Sequence, residues 1–251
     1  MQKDPKIKWL LQQADNCLVL SQRNAEWCGH GPILEQDIAI TNISLDLLGQ
    51  SRNFYQYAAS LIGSDATEDS LAYLRNEREF NNVLLVELPT GDWAQSILRQ
   101  FLFSKFEYLF FSSLCSSIDA SIAAIAEKSL KEILYHVRWS SEWVIRLADG
   151  TEESHQRIIK SLSFLWPYTG ELFESADYES SLSAEKIIPD PSSLREEWLS
   201  GIKEVFTEAG LEIPKNVYMH TGGKQGKHTE QLGYLLAELQ YLQRSYPGVE
   251  W

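Results

Sequence analysis

The sequence is poor in cysteine and has no long apolar run. Its three cysteines, Cys17, Cys28 and Cys115, form no C-x-x-C pair and no even set, so a reducing compartment is the simplest expectation. No stretch reaches the roughly 18 consecutive apolar residues of a membrane span. The opening stretch MQKDPKIKWLLQQAD lacks the apolar core of a signal peptide. We therefore expect a soluble, cytoplasmic protein.

Positive charge is also scarce. Lys and Arg total 22 against 35 Asp and Glu, which leaves a net charge of −13. Such a balance argues against nucleic acid or an anionic membrane as the main partner, although it leaves room for a local basic pocket. With 251 residues and 44% hydrophobic side chains, the chain can form a sizeable core. We predict a single domain over residues 1–251.

Strand patterns are nearly absent, and so are internal repeats, low-complexity tracts and the glycine motifs that bind nucleotides. Apolar residues instead recur at the helical period almost throughout the chain. Helices are predicted over 7–22, 33–62, 92–115, 118–148 and 229–244 and from Thr151 to about Phe173, with a shorter one after Thr67. The predicted fold class is therefore all-α, a bundle of long helices.

Residues 175–228 are the exception to this helical pattern. Three prolines and a Gly-Gly pair interrupt the periodicity there. Ser193 and Glu196 have the spacing of a capping box, which predicts one short helix ending near Ala209. We therefore expect an irregular excursion near the C-terminal end of the bundle.

Histidine is nearly missing from the long helices, and this bears on metal binding. A di-iron carboxylate bundle needs two Glu-x-x-His pairs and two further carboxylates. Only His136, in the stretch KEILYHVRW, lies within a long predicted helix, and the residue three positions before it is Ile133 rather than Glu. Glu132, four positions before, shares its helix face. The ligand set that the sequence offers is incomplete.

Two interpretations of His136 follow from these residues. It is either a buried histidine that bonds to Glu132 or to a neighbouring helix, or it shares one ion with Glu132 in a weak metal site completed by Glu35, Asp46 and Glu107.

Four blocks of the sequence together carry a family resemblance. They are DNCLVLSQRNAEWCGHGPILEQDIAITNISLDLLGQSRNFYQYAA (Asp15–Ala59), RNEREFNNVLLVELPTGDWA (Arg75–Ala94), KEILYHVRW, and TGGKQGKHTEQLGYLLAELQYLQRSYPG (Thr221–Gly248). These blocks resemble the PaaC-type subunits of ring-1,2-phenylacetyl-CoA epoxidases, and the likeness covers essentially the whole chain. The resemblance implies a ferritin-like helical bundle that acts as a non-catalytic structural subunit.

The resemblance also implies partners and cofactors. In that family a sister catalytic subunit of the same fold carries the di-iron centre and forms a ring epoxide on phenylacetyl-CoA with O2. Electrons come from NADPH through a reductase that holds FAD and an iron–sulfur cluster. This chain is then expected to bind no cofactor itself, and KEILYHVRW is interpreted as a vestige of a ligand set. Self-association of the isolated chain stays open, as does the alternative of a ferritin-like di-metal oxidase using Asp46, Glu107, Glu132 and His136.

The segment RNEREFNN is the first candidate for binding the coenzyme A substrate at the subunit junction. It combines cations, an aromatic ring and amides, and the resemblance points to it as part of the substrate surface. Its candidate residues are Arg75, Arg78, Glu79, Phe80, Asn81 and Asn82. The alternative is a solvated helix end followed by a turn.

Two further stretches complete the candidate substrate site. The loop TGGKQGKHTE places Lys224 and Lys227 beside glycines just before the last helix, where free backbone N–H groups can hold phosphate. The alternative for this loop is a flexible surface turn. The resemblance also extends, with a poorer local match, to Ser180, Ser181 and Leu182.

Overall fold

The computed structural model describes residues 4–63 and 65–249, and within them every regular element is helical. The α-helices are α1 (Pro5–Ala25), α2 (Leu34–Ile62), α3 (Glu68–Tyr73), α4 (Leu84–Glu87), α5 (Trp93–Leu114), α6 (Ala120–Ala148), α7 (Glu152–Leu165), α8 (Asp177–Ala184), α9 (Arg195–Glu208), α10 (Glu230–Leu239) and α11 (Tyr241–Ser245). The prediction of an all-α fold is confirmed.

Four long helices form the bundle, and their first turns have the expected caps. The carboxylate of Asp4 accepts the backbone N–H groups of residues 6 and 7 at the start of α1, and Asp92 and Asp119 cap α5 and α6 in the same way. α1 packs along α2, and α5 packs along α6. Aromatic rings fill the space between the two pairs, with Phe54 of α2 edge-on to Phe111 of α5 at a centroid distance of 6.0 Å. This packing buries the apolar faces that the sequence periodicity predicted.

The helix predicted from Thr151 to Phe173 is interrupted. Thr151 caps it as expected, but α7 ends at Leu165 and two 3-10 turns follow, Trp166–Tyr168 and Gly170–Phe173. Pro167 lies in the first of these turns, and a proline inside an α-helix removes a hydrogen bond and clashes with the preceding turn. The α-helix therefore ends before Pro167.

Residues 175–228 contain two helices, α8 and α9, rather than the one predicted. The capping box assigned to Ser193 was wrong, because the carboxylate of Asp190 accepts the Ser192 N–H and begins a 3-10 turn that leads into α9. The indole N–H of Trp198 then donates to the Leu102 carbonyl at 3.1 Å, which packs α9 against α5. The excursion thus covers the outside of the bundle. Within the described residues, no helix combines the length and the apolar character that a bilayer crossing requires.

Candidate functional site

His136 is fully buried on α6 and pairs with a neighbouring helix. Its Nε2 lies 3.1 Å from Oδ2 of Asp46 on α2. Of the two partners proposed for a buried histidine, the neighbouring helix is therefore the observed one. The Asp46 carboxylate forms a hydrogen bond with the imidazole and lies at the edge of the core, where its side chain is 34% exposed.

The other two metal-ligand candidates also have partners within the chain. Gln50 donates from Nε2 to Glu132 at 2.9 Å, and its Oε1 lies 3.9 Å from the thiol of Cys17. The same thiol lies 3.8 Å from Oε1 of Glu107 on α5. Burial raises the pKa of Glu107 to about 8, so this carboxyl is mainly protonated at neutral pH.

These residues do not form a metal-binding group. Across residues 4–63 and 65–249, no three His, Cys, Asp or Glu side chains come together in a way that could hold a metal ion. The neutral side-chain amide of Gln50 lies between Glu132 and the thiol of Cys17. Glu107 is mainly protonated at neutral pH because its pKa is raised. The candidate ligands are therefore bonded to other groups of the chain, and Glu107 is mainly uncharged at neutral pH.

The three segments predicted to bind substrate meet on one side of the molecule. The His228 Nε2 lies 2.9 Å from the Phe80 carbonyl, which joins the last loop to the first segment. Tyr178 on α8 donates its hydroxyl to the Lys224 carbonyl at 3.2 Å, which adds the third segment. A Cβ at Gly226 would lie 2.5 Å from the Arg78 carbonyl, so the close approach of the two backbones requires glycine there.

The guanidinium of Arg75 is paired with groups inside the protein. Its guanidinium donates to Asp15 of α1, with Nη1 3.1 Å from Oδ2, and to the Tyr55 hydroxyl at 2.9 Å. It also lies 4.2 Å from the ring centroid of Phe80, which is fully buried. Because Asp15 is completely shielded from solvent, this ion pair holds the segment to the bundle.

The amides of the same segment are turned inward as well. Asn81 donates its backbone N–H to Asp15 at 2.8 Å and its side-chain Nδ2 to the Glu79 carbonyl. Asn82 donates to Oε2 of Glu87 at 2.8 Å. Glu79 accepts the N–H of residue 76 and thereby caps a short 3-10 turn. The segment is therefore an ordered strap, and neither a solvated helix end nor a row of free donors.

The glycine loop holds two carboxylates of its own chain. Oε1 of Glu171 accepts the N–H groups of Gly222 and Lys224 at 2.8 and 3.3 Å, while its Oε2 accepts the Leu84 N–H at 2.7 Å. Glu87 accepts the N–H of the α10 cap residue at 2.6 Å. The anion positions expected at a glycine loop and a helix N-terminus are therefore filled by buried glutamates.

Lys224 is likewise committed to the interior. Its Nζ lies 2.9 Å from Oε2 of Glu179 on α8 and donates to the Glu174 carbonyl at 2.6 Å. Both charged side chains of the pair are only 2% exposed. The lysine predicted to face a phosphate instead joins the loop to α8.

The exposed members of the three segments form a smaller set. Arg78 and Lys227 are solvent-exposed, and in the described parts of these segments they are the two cations without a side-chain partner. Ser180 and Ser181 are exposed on α8, where their hydroxyls donate to carbonyls of their own helix. Leu182 is buried. Of the predicted substrate residues, these four polar ones are at the surface.

Sequence reasoning missed the carboxylates that organise this region, namely Asp15, Glu87, Glu171 and Glu179, all of them buried. Asp15 could have been recognised, since it shares a helical stripe with Leu11 and Leu18 and was bound to be buried. The other three lie in short elements whose packing partners are distant in sequence, so no local pattern identifies them.

The predicted relationship is confirmed by comparison with known proteins. The profile of the family described as phenylacetic acid catabolic protein matches residues 1–251. The chain is 48% identical over 243 residues to the C-type subunit of 1,2-phenylacetyl-CoA epoxidase from Escherichia coli (strain K12), an alignment that covers 97% of this chain and 98% of that protein. Together with the all-α, ferritin-like architecture, this full-length match shows that the chain belongs to the phenylacetic acid catabolic protein family.

Proposed function

We propose that this chain is the non-catalytic structural subunit of a phenylacetyl-CoA epoxidase. The observation that carries the proposal is the polar core, where the four inward side chains are bonded or shielded within the chain instead of converging on one point. The Escherichia coli relative, which is named as a subunit of that enzyme and is 48% identical over nearly the full length, supports it. The di-iron centre then belongs to a catalytic partner subunit, and FAD and the iron–sulfur cluster to the reductase.

An exposed apolar stripe supports a stable partner of this kind. On α2, four large aliphatic side chains follow one another at helical spacing with exposures from 40 to 71%, namely Leu34, Ile38, Leu45 and Leu48. Leu134 on α6 is 54% exposed. Contiguous apolar surface is costly in water and is typical of a subunit interface. The catalytic subunit, a bundle of the same fold, is the proposed occupant.

Reconstitution of the isolated chain with iron tests the assignment. The isolated chain is incubated with Fe(II), and its iron content and oxygen consumption are measured. We expect far fewer than two irons per chain and no oxygen consumption.

Assembly with the catalytic subunit is the second test. Size-exclusion chromatography of the two subunits together should give one stable complex. Leu45→Glu should prevent that complex, while the matched change Leu242→Glu, on α11, should not.

A metal-binding oxidase is the second candidate function. One specific feature favours it: Oε2 of Glu107 and Nδ1 of His136 are buried polar atoms without a hydrogen-bond partner. Such atoms normally find a partner, and an ion or a water molecule would supply one. Two tightly bound irons per isolated chain, accompanied by oxygen consumption, would establish this function and refute the proposal of a non-catalytic structural subunit.

The proposed share of this chain in substrate binding rests on Arg78 and Lys227. Coenzyme A is strongly anionic, and a chain with a net charge of −13 needs local cations to hold it. Both side chains are exposed and free, and the backbones that carry them touch where Gly226 meets Arg78. Ser180 and Ser181 add hydroxyl groups from α8.

Replacing the two cations tests this role. Arg78→Ala with Lys227→Ala should weaken phenylacetyl-CoA binding to the epoxidase complex about tenfold or more, because a hydrogen bond to a charged group contributes about 1.5–3 kcal/mol. Lys203→Ala, an exposed lysine on α9, is the matched control. Unchanged affinity in the double variant would mean that the catalytic partner holds the substrate alone.

A further inference from the structure

A row of aromatic rings crosses the surface beside the glycine loop. The rings of Tyr168 and His220 are stacked, with centroids 4.6 Å apart and an interplanar angle of 20°. Tyr218 meets His220 edge-on at 5.2 Å, and Phe164 lies against Tyr168 at 6.2 Å. Tyr218 is 78% exposed, which is the highest exposure among the large hydrophobic side chains of the described residues. Nothing in the bundle core explains why this ring is held in solvent.

The backbone that carries the row is fixed in place. The His220 N–H donates to the Pro167 carbonyl at 2.8 Å. Met219 packs its side chain on Gly170, where a Cβ would lie 2.7 Å from the methionine Cγ. The segment is therefore anchored by the two residues that directly follow the exposed ring. A rigid aromatic surface loses little conformational entropy when a ligand binds to it.

The backbone of the row leads directly to the segments that carry the two free cations. His220 is two residues from Gly222, so their Cα atoms are at most about 7 Å apart. The Lys227 N–H donates to the Gly222 carbonyl at 2.9 Å, and a Cβ at Gly222 would contact the Lys227 side chain at 3.0 Å. Arg78 follows directly, since its carbonyl contacts Gly226. The backbones that carry the aromatic rings and the unpaired cations therefore approach one another on an otherwise acidic protein.

Planar rings beside phosphate-binding cations suit a nucleotide. A base stacks on an aromatic side chain, and Arg or Lys bonds to the phosphates that the ribose carries. We propose that Tyr218 and His220 form a stacking site for the adenine of coenzyme A, while Lys227 and Arg78 hold its phosphate groups. This inference rests on the proposed function and adds the part of the substrate that this chain recognises.

Titration of two thioesters into the complex of this chain with its catalytic partner tests the site. Phenylacetyl-CoA carries the nucleotide, whereas phenylacetyl-pantetheine has the same acyl end without adenine or phosphate. Tyr218→Ala should weaken phenylacetyl-CoA binding at least about fivefold, the lower end of the effect of one lost base stack. The affinity for phenylacetyl-pantetheine should not change. Tyr218→Phe keeps the ring and should restore binding, and Tyr241→Ala, a matched exposed tyrosine on α11, should have no effect.

The outcomes separate this inference from the proposed function. If the wild-type complex binds phenylacetyl-CoA and Tyr218→Ala binds it equally well, the adenine site is refuted and the epoxidase role stands. A Tyr218→Ala chain that no longer assembles with the catalytic subunit would make the aromatic row a protein interface and would also refute the site. Absence of saturable binding to the wild-type complex would overturn both.

Discussion

Replacing Glu107 by Gln should remove a large part of the pH dependence of stability. Burial raises the pKa of this carboxyl from 4.5 to about 8. Below pH 4.5 both the folded and the unfolded chain carry the proton, so the group contributes no pH dependence. As the pH rises towards 8, only the unfolded chain releases the proton, and the free energy of unfolding falls by about 1.4 kcal/mol per pH unit.

The pH range between the two pKa values sets the size of the expected difference in stability. Between pH 5 and pH 8 the wild-type chain should lose roughly 3 to 4 kcal/mol more stability than Glu107→Gln, because an amide does not titrate. Urea unfolding followed by tryptophan fluorescence at several pH values measures the difference. Other buried groups titrate equally in both proteins and cancel in the comparison. Glu127→Gln, at an exposed position on α6, is the control and should keep the wild-type slope.

Parallel pH profiles for the wild type and Glu107→Gln would refute this reasoning. They would mean that the buried carboxyl is ionised in the folded protein and neutralised by a group such as a bound cation. That result would also favour the oxidase alternative over the scaffold.

Other predictions concern the glycine loop, its contact with the RNEREFNN segment, and α2. Lys224→Met should destabilise the protein by about 3–5 kcal/mol in urea unfolding, because it leaves a buried carboxylate without its partner, whereas Lys227→Met at the surface should change stability by less than about 0.5 kcal/mol. Gly223→Ala should lower the melting temperature, since a Cβ there would lie 2.3 Å from the Asn82 carbonyl. Gly49→Ala, in the open middle of α2, should instead stabilise by about 0.5–1 kcal/mol. A melting temperature of Gly223→Ala equal to that of the wild type would contradict the close backbone approach.

The long helices could be predicted from the sequence because their determinants are local. Periodic apolar residues, a capping Asp or Thr and a breaking Gly or Pro lie within a few positions of one another, and Gly63 ends α2 where it was expected to. The break in the Glu-x-x-His motif is likewise visible in the sequence, because the motif is a local spacing and Ile133 stands where it needs Glu. The family resemblance needed no structure either, since it rests on residue identities along the chain.

The assignment of side chains to the surface or the interior of the candidate site depended on tertiary structure. Arg75 and Arg78 are three residues apart and look equivalent in sequence, yet one is paired with Asp15 and the other faces solvent. Lys224 and Lys227 differ in the same way. The carboxylate partners of Arg75 and Lys224 lie on α1 and α8, at least 45 residues away along the chain.

The sequence by itself determined the helical class, the missing ligand pair and the three segments that form the candidate site. Only the tertiary structure decided which members of those segments are free to meet a ligand. The physical reason is that burial and ion pairing depend on contacts between distant parts of the chain. A buried glutamate such as Glu171 can satisfy the same backbone N–H groups that a phosphate would, and no local pattern distinguishes the two.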